Sequence, residues 1–312
     1  MHPSHLPRNR CCTRCGRARP ASQTSRLVGR DICRAVRSRG QSRRLHDHQD
    51  QSRTTDVTPT RGSIAMKIGI LGTGFMGRVL ARKLAAAGHD VKVANSRGPG
   101  SIAEEILETG AHAATAEEAL QDVDVVILAM PHPGFEKIRH LVAGLPEQTT
   151  VIDISNYFPG RDPVNPELDG DKAESEWVRD YFGRPIAKAW NSIGMLSFEI
   201  NGRGKGEQGR IALPVSADRP QDQEIALRLV EDTGFDGFYA GCLADSWRQQ
   251  PGSPVYITDL TFDEMGPALA SAERDRLPKR RDLSAQVFAE RVGERASPDA
   301  ETVVKIARAL FI

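Results

Sequence analysis

Cysteine is scarce in most of this 312-residue chain, and aromatic residues are missing from its first fifth. After residue 65 the sequence contains only Cys242, which excludes a disulfide scaffold there and suits a reducing compartment. The longest apolar run, Val123 to Met130, is interrupted by Asp124 and is too short to cross a bilayer. No apolar core of a signal peptide is present either. We therefore expect a cytoplasmic protein that does not insert into membranes.

Residues 1–65 differ in composition from the rest of the chain. They contain fourteen arginines and four aspartates but no lysine, glutamate or aromatic residue, so they carry a formal charge of +10. A segment with so little apolar surface cannot offset the entropy of ordering, and we predict disorder. A transit peptide and a nucleic-acid-binding arm are alternatives, although no aromatic side chain is present to stack on a base. We favour translation starting at Met66, and therefore no nucleic-acid partner.

The cysteines of this first segment do not predict a metal site. Cys12 and Cys15 have the spacing of a metal knuckle, but no matching second pair follows. The histidines of the remaining chain lack a ligand spacing as well. We expect no bound metal.

From Met66 onward, short apolar runs alternate with segments rich in helix formers. The predicted strands are Lys67–Leu71, Asp90–Ala94, Asp124–Met130, Thr150–Ile154, Ile186–Trp190, Arg210–Ser216 and Gly237–Ala240. A helix over Phe75–Ala87 separates the first two, and capping boxes are predicted at Ser101 with Glu104 and at Thr115 with Glu118. This alternation predicts an α/β fold with a doubly wound, mostly parallel sheet of the Rossmann type. We place the Rossmann domain at 66–241 and a helical substrate or dimer segment at 242–312.

A GxGxxG motif joins the first strand to the first helix. It consists of Gly72, Thr73, Gly74, Phe75, Met76 and Gly77. In this context the first glycine permits the turn, the second lets the pyrophosphate of a dinucleotide approach, and the third lets helix and sheet pack closely. The backbone N–H groups at the helix start favour an anion. The motif therefore predicts a dinucleotide site.

The end of the second predicted strand lacks the acidic residue that would bind the ribose hydroxyls of NAD. Asn95, Ser96 and Arg97 occupy that place. A carboxylate repels a 2′-phosphate, whereas a guanidinium and a hydroxyl hold it. The sequence therefore predicts NADP(H) as the cofactor.

Two further segments follow strand ends, where ligands of such sheets bind. Ala129, Met130 and Pro131 are predicted to border the nicotinamide ribose, and His132 is a catalytic candidate. Asn191 is a second candidate, either for the nicotinamide carboxamide or as a helix N-cap. Each of the two also has an ordinary structural interpretation.

Several stretches together resemble the NADP-dependent, deazaflavin-coenzyme (F-420) oxidoreductase family. They are MKIGILGTGFMG, ANSRGP, KAWNSIG and LADSWRQQPGSPVY, and the resemblance extends from Met66 onward. It implies hydride transfer between NADPH and a deazaflavin, flavin or similar small-molecule electron acceptor, and a homodimer. Trp247 and Arg248 are then candidate substrate contacts. The organic chemistry would belong to the cofactors, so no acid–base pair is required.

Two other functions remain open at this level. Pyrroline-carboxylate and hydroxyacid dehydrogenases share the glycine turn, but the latter use a catalytic lysine, for which only Lys279 and Lys305 are available after Gly241. A non-catalytic NADP(H) redox sensor would need only the cofactor site.

Overall fold

The computed structural model describes residues 65–170, 172–292 and 299–312. Residues 1–64 lie outside these ranges. The predictions of disorder, of a later translation start and of no metal knuckle apply to that segment. The strands are β1 (Lys67–Leu71), β2 (Asp90–Ala94), β3 (His112–Ala113), β4 (Val125–Leu128), β5 (Thr150–Asp153), β6 (Ala187–Lys188), β7 (Ala212–Ala217) and β8 (Asp236–Gly241). The α-helices are α1 (Phe75–Ala86), α2 (Glu104–Leu107), α3 (Ala116–Ala119), α4 (Phe135–Ala143), α5 (Glu174–Phe182), α6 (Met195–Ile200), α7 (Pro220–Asp232), α8 (Phe262–Ala270), α9 (Leu277–Val292) and α10 (Ala300–Phe311).

The eight strands form one sheet in the order β3-β2-β1-β4-β5-β6-β7-β8. Every neighbouring pair is parallel except β6 and β7, which run antiparallel. The chain winds outward from β1 to β3, then crosses back to β4 and winds the other way. The predicted doubly wound, mostly parallel sheet is therefore confirmed. The crossover places the carboxyl ends of β1 and β4 side by side, where such sheets bind ligands.

The central strands of the sheet are buried on both faces. All four residues of β4 and of β5 are buried, as expected for parallel strands covered by helices on both faces. On one face α1 packs through Val79, Leu80 and Leu84. Side chains from α4 and α5 fill a second cluster on the other face, around Phe135 and Phe182.

The local predictions differ in outcome. Thr115 and Glu118 form the expected capping box at α3. The capping box at Ser101 is wrong, because Pro99–Ser101 forms a 3-10 turn and α2 begins only at Glu104. Ser101 instead donates its hydroxyl to Gly98 O and to the side-chain oxygen of Asn95. Strand β3, two residues long, has no hydrophobic signal and was not predicted.

After β8 the described chain contains helices joined by irregular segments. A 3-10 segment, Leu243–Gln249, and an irregular loop lead into α8, α9 and α10. Ile257, Ala307 and Phe311 bury one face of α10 against that loop. The domain boundary at residue 241 stays a prediction. No helix within the described part of the chain is long and apolar enough to cross a membrane.

Candidate functional site

The glycine turn links three strand ends. The N–H of Gly72 donates to Ala94 O at the end of β2 (2.8 Å), and the N–H of Ala129 donates to Leu71 O at the end of β1 (2.8 Å). Gly72 has a φ of +116°, and a Cβ there would lie 2.2 Å from Ala129 O. A Cβ on Gly77 would lie 2.0 Å from Gly72 O. Two of the three motif glycines are therefore required by close backbone approach.

Gly74 has a different environment. A Cβ at this position would meet no atom within 4 Å, so its Cα faces open space at the start of α1. No side chain caps the N-terminus of this twelve-residue helix, and its first turn has no acidic residue. Uncapped N–H groups beside an open glycine fit the pyrophosphate of a dinucleotide.

The loop after β2 is tied to the glycine turn through Asn95. Its side-chain N–H donates to Thr73 Oγ1 (3.1 Å), and its side-chain oxygen accepts from the N–H of Arg97 (2.9 Å). Ser96 and Arg97 are exposed. Across the residues that the structure describes, no hydrogen bond or ion pair engages the Arg97 guanidinium. The loop thus presents a cation and a hydroxyl next to the turn and no carboxylate.

A cavity of about 580 Å³ opens beside the turn, within the size range of small-molecule sites. The predicted cofactor residues that line it are Gly74, Phe75, Met76, Ala129, Met130, Pro131 and Asn191. Gly72, Thr73, Gly77, Asn95, Ser96 and Arg97 lie outside its lining. Apolar side chains cover most of the remaining wall, with polar groups from the ends of β5 and β6.

Asn191 lies in a closed amide network at the end of β6. Its side-chain N–H groups donate to Asn156 Oδ1 (3.0 Å) and to Gln249 O (2.9 Å), and its side-chain oxygen accepts from Gln249 Nε2 (2.9 Å). Both donors are used within the protein. The alternative N-cap role is wrong, because the N-cap residue of α6 is Gly194. The predicted contact with the nicotinamide carboxamide stays a prediction. It would have to use the remaining lone pair of Asn191 Oδ1 as an acceptor.

His132 is buried in an aromatic box and does not line the cavity. Its ring lies 5.0 Å from Trp177, 5.2 Å from Phe135 and 6.2 Å from Tyr157, measured between centroids. Burial lowers its pKa to about 4, so the imidazole is neutral at pH 7. The catalytic role of His132 stays a prediction, without support from this geometry.

Ser155 connects this histidine to a buried charge pair. Its hydroxyl donates to Asp153 Oδ1 (2.7 Å) and therefore accepts from His132 Nε2 (2.9 Å). Asp153 also accepts from Lys188 Nζ (2.6 Å), and both side chains of this ion pair are almost fully buried. Lys188 donates in addition to Ser155 O. Because Ser155 lines the cavity, the pair fixes part of its polar wall.

A second buried carboxyl lies behind the same wall. Glu174 accepts from the N–H of Tyr157 (3.1 Å) and from Gln250 Nε2 (3.2 Å), and burial raises its pKa to about 7. Arg161, in the cavity lining, pairs through Nε and Nη2 with Asp162. The polar wall therefore combines paired charges with one carboxyl, Glu174, whose ionised form is disfavoured by burial.

The last part of the wall has a strained backbone. Trp190 and Ile257 both line the cavity and both have left-handed backbone angles, with φ of +54° and +51°. For a β-branched residue such an angle is a true outlier, costing about 1–3 kcal/mol. The N–H of Ile257 donates to Ser192 O (2.6 Å), which ties this loop to the end of β6. Tyr256 lies beside it in the cavity wall.

Trp247 and Arg248 are not brought to the cavity. The Arg248 guanidinium lies 4.4 Å from the Trp247 ring and pairs with Asp245, and Arg274 lies on the same ring at 5.5 Å. Neither residue lines the cavity. Their substrate role stays a prediction, without support from this geometry.

Sequence reasoning missed the side chains that build the polar wall: Asp153, Ser155, Arg161, Glu174, Lys188 and Tyr256. Two signals were present. Asp153 and Ser155 follow a buried strand at its carboxyl end, and Lys188 and Tyr256 belong to the stretches KAWNSIG and LADSWRQQPGSPVY. The other two, Arg161 and Glu174, lie in an irregular segment and on a helix whose partners are distant in sequence.

Residues 67–157 match the family described as NADP oxidoreductase coenzyme F420-dependent. The match covers less than a third of the chain. The matched segment contains the glycine turn, the loop after β2 and the ends of β4 and β5. The description of this family names the predicted cofactor, NADP, and the predicted reaction class, an oxidoreductase.

The chain is also similar to three individual proteins. It is 41% identical over 78 residues to the Escherichia coli protein YjhV, covering 24% of this chain and 57% of YjhV. It is 31% identical over 100 residues to 2-hydroxy-3-oxopropionate reductase from E. coli, covering 30% of this chain and 33% of that enzyme. The chain therefore spans little more than half the length of the first relative and a third of the second.

The third is a crystal structure of a Sinorhizobium meliloti protein described as hypothetical. The two sequences are 29% identical, and the structures superpose with a TM-score of 0.53. The match covers 63% of this chain and 95% of the S. meliloti chain. At that identity the likeness supports the fold and assigns no activity.

Proposed function

We propose that this chain is an NADPH-dependent reductase that transfers hydride to a deazaflavin, flavin or similar conjugated acceptor in the 580 Å³ cavity. The observation that carries the proposal is that the glycine turn and the cavity form one continuous surface. Gly74, Phe75 and Met76 belong both to the anion-binding turn and to the lining of the cavity. A dinucleotide held by its pyrophosphate at the turn would thus extend its other end into the cavity.

Three features of the chain would hold NADPH. The N–H groups at the start of α1 would receive the pyrophosphate, with Gly74 leaving room for it. Ser96 and Arg97 would receive the 2′-phosphate. The apolar wall, which includes Ile193, would exclude water from the reacting rings. Bound NADPH supplies the hydride from its nicotinamide ring.

The apolar lining favours a planar ring acceptor over a small hydroxyacid. Hydroxyacid dehydrogenases use a catalytic lysine, and none of the described residues that line the cavity is a lysine. Lys305 is 72% exposed and pairs with Glu301, and Lys279 is exposed as well. The similarity to 2-hydroxy-3-oxopropionate reductase keeps a carbon substrate as the second candidate, to be tested alongside.

The deciding measurement follows NADPH oxidation by the full chain with coenzyme F420, FMN, a ferric chelate, pyrroline-5-carboxylate and 2-hydroxy-3-oxopropionate as separate acceptors. The proposal expects turnover with F420 or FMN and none with the carbon substrates. Turnover confined to a carbon substrate would replace it by the second candidate. NADPH binding without turnover of any acceptor would favour a redox sensor. Sedimentation equilibrium tests the homodimer that forms part of this proposal.

The cofactor assignment has its own test. Arg97→Ala should weaken NADPH binding about tenfold or more, because a charge-assisted hydrogen bond contributes about 1.5–3 kcal/mol, and should leave NADH binding nearly unchanged. Arg276→Ala, at an exposed arginine outside the site, is the matched control. Calorimetry that finds equal losses for NADPH and NADH would remove Arg97 from the 2′-phosphate pocket.

A further inference from the structure

The side chains of the cavity wall differ in how far their hydrogen-bonding groups are already used. The hydroxyl of Ser155 donates its only proton to Asp153. Asn156 and Asn191 pair with each other, and Trp190 Nε1 donates to Thr233. These donors are directed into the protein and are not available to an acceptor molecule.

Tyr256 is the exception among the hydroxyl groups of this wall. Its side chain lines the cavity, and across the described ranges no protein group hydrogen-bonds its hydroxyl. Glu174 and Arg161, which lie behind and beside the same wall, act on it electrostatically. Burial, followed by the influence of Glu174, raises the pKa of the tyrosine, so that it stays a hydrogen-bond donor across the neutral range.

The backbone around Tyr256 fixes its position. The preceding turn is closed by the N–H of Tyr256, which donates to Ser253 O (3.0 Å). The following residue, Ile257, is strained and donates to Ser192 O at the end of β6. Strain of this kind persists only where the surroundings impose it, and it concentrates at functional sites.

We propose that the Tyr256 hydroxyl donates a hydrogen bond to the heteroatom of the acceptor on which electrons accumulate during hydride transfer. The inference rests on the proposed function and defines the acceptor class as a conjugated ring with a C=N or C=O group. Bound NADPH would lose hydride from a C–H bond of its nicotinamide ring, and the hydride would form a C–H bond at the accepting carbon of a deazaflavin or an N–H bond at the accepting nitrogen of a flavin. The electron pair of the acceptor π-system moves to its nitrogen or oxygen, and water supplies the proton that neutralises it.

Tyr256→Phe tests this inference, because it removes the hydroxyl and keeps the ring. For the full chain, kcat with the acceptor that the wild type reduces should fall about 10²–10³-fold, as for other single donors to a developing anion. Affinity for NADPH, measured by calorimetry, should stay within twofold. Affinity for oxidised F420 or FMN in the absence of NADPH, measured by fluorescence quenching, should fall at least threefold. Tyr239→Phe, at the exposed tyrosine of β8, is the matched control and should behave as the wild type.

The outcomes separate this inference from the proposed function. A wild-type chain that reduces none of the conjugated acceptors overturns both. A wild type that reduces one of them, with Tyr256→Phe equally active or impaired only in NADPH affinity, overturns the role of Tyr256 alone. Thermal unfolding shows whether the variant folds, and Tyr256→Trp, which restores an N–H donor, gives a second variant. If both variants fold and Tyr256→Trp recovers part of the lost kcat, the hydrogen bond is supported.

Discussion

The two sides of the candidate site differ in the groups that form them. The cofactor side, from Leu71 to Arg97, consists of backbone groups, glycines and one short loop, all within thirty residues of sequence. The acceptor side combines side chains from the ends of β5 and β6 with the loop around Tyr256, more than a hundred residues beyond Asp153. The first side depends on space for the backbone, and the second on compensation of buried charge and on strain.

This difference determines how each side fails. A backbone that must pass within van der Waals contact of another tolerates no added atom. A buried ion pair tolerates the loss of both members better than the loss of one, because the cost lies in the charge that remains. Substitutions should therefore separate the two sides by mechanism as well as by magnitude.

The largest effect is expected at Gly72. Gly72→Ala places a Cβ 2.2 Å from Ala129 O and forces a side chain into a φ of +116°, so the free energy of unfolding should fall by about 4 kcal/mol or more. Gly74→Ala is the matched control, since its Cβ meets no atom within 4 Å. It should change stability by less than about 0.5 kcal/mol and weaken NADPH binding at least tenfold.

Urea denaturation of both variants decides this prediction. A Gly72→Ala protein as stable as the wild type would show that the strand ends can separate to admit a methyl group. A Gly74→Ala protein with unchanged NADPH affinity would move the pyrophosphate away from this turn.

The next effect concerns the buried pair on the acceptor side. Asp153→Asn leaves the Lys188 ammonium buried without a counter-charge, and stability should fall by about 3–4 kcal/mol. The double variant with Lys188→Met removes both charges and should recover at least about 1 kcal/mol of that loss. A double-mutant cycle in urea measures the coupling. Glu301→Gln breaks an exposed pair of the same 2.6 Å length and should cost less than about 0.5 kcal/mol.

If the cycle finds additive losses for Asp153 and Lys188, the pair does not stabilise the acceptor wall as a unit. If Glu301→Gln costs as much as Asp153→Asn, burial is not the reason for the difference between the pairs.

The same contrast explains what the sequence could reveal. Strands β1 and β4 could be predicted because each contains a continuous apolar run, and the glycine motif because its spacing is local. The wrong cap at Ser101 has a local cause too, since Pro99 starts a 3-10 turn that uses the serine hydroxyl within the loop. Local patterns report local geometry.

The acceptor wall could not be predicted in this way. Glu174 lies on a predicted helix, but its partner Gln250 is 76 residues away, and no pattern in either segment predicts that the two are in contact. Tyr256 lies in a loop that has no periodicity. His132 was noticed as a loop histidine, whereas its burial depends on Phe135, Tyr157 and Trp177, which the fold brings together.

The smallest of these effects is a pH dependence that originates at His132. Its pKa is about 4 in the folded protein and near 6.5 when unfolded, so between these values the unfolded chain binds the proton first. Stability is therefore lost as the pH falls through this range. From pH 7 to pH 5 the wild type should lose about 2 kcal/mol more than His132→Gln, whose amide can still donate to Ser155. Glu174, with a raised pKa, titrates with the opposite sign in both proteins, and its contribution cancels in the difference.

Urea denaturation at the two pH values gives the result, with His112→Gln on exposed β3 as the control. Parallel pH profiles for the wild type and His132→Gln would mean that the aromatic box admits the protonated ring, and the acceptor side would then be less dry than its lining indicates.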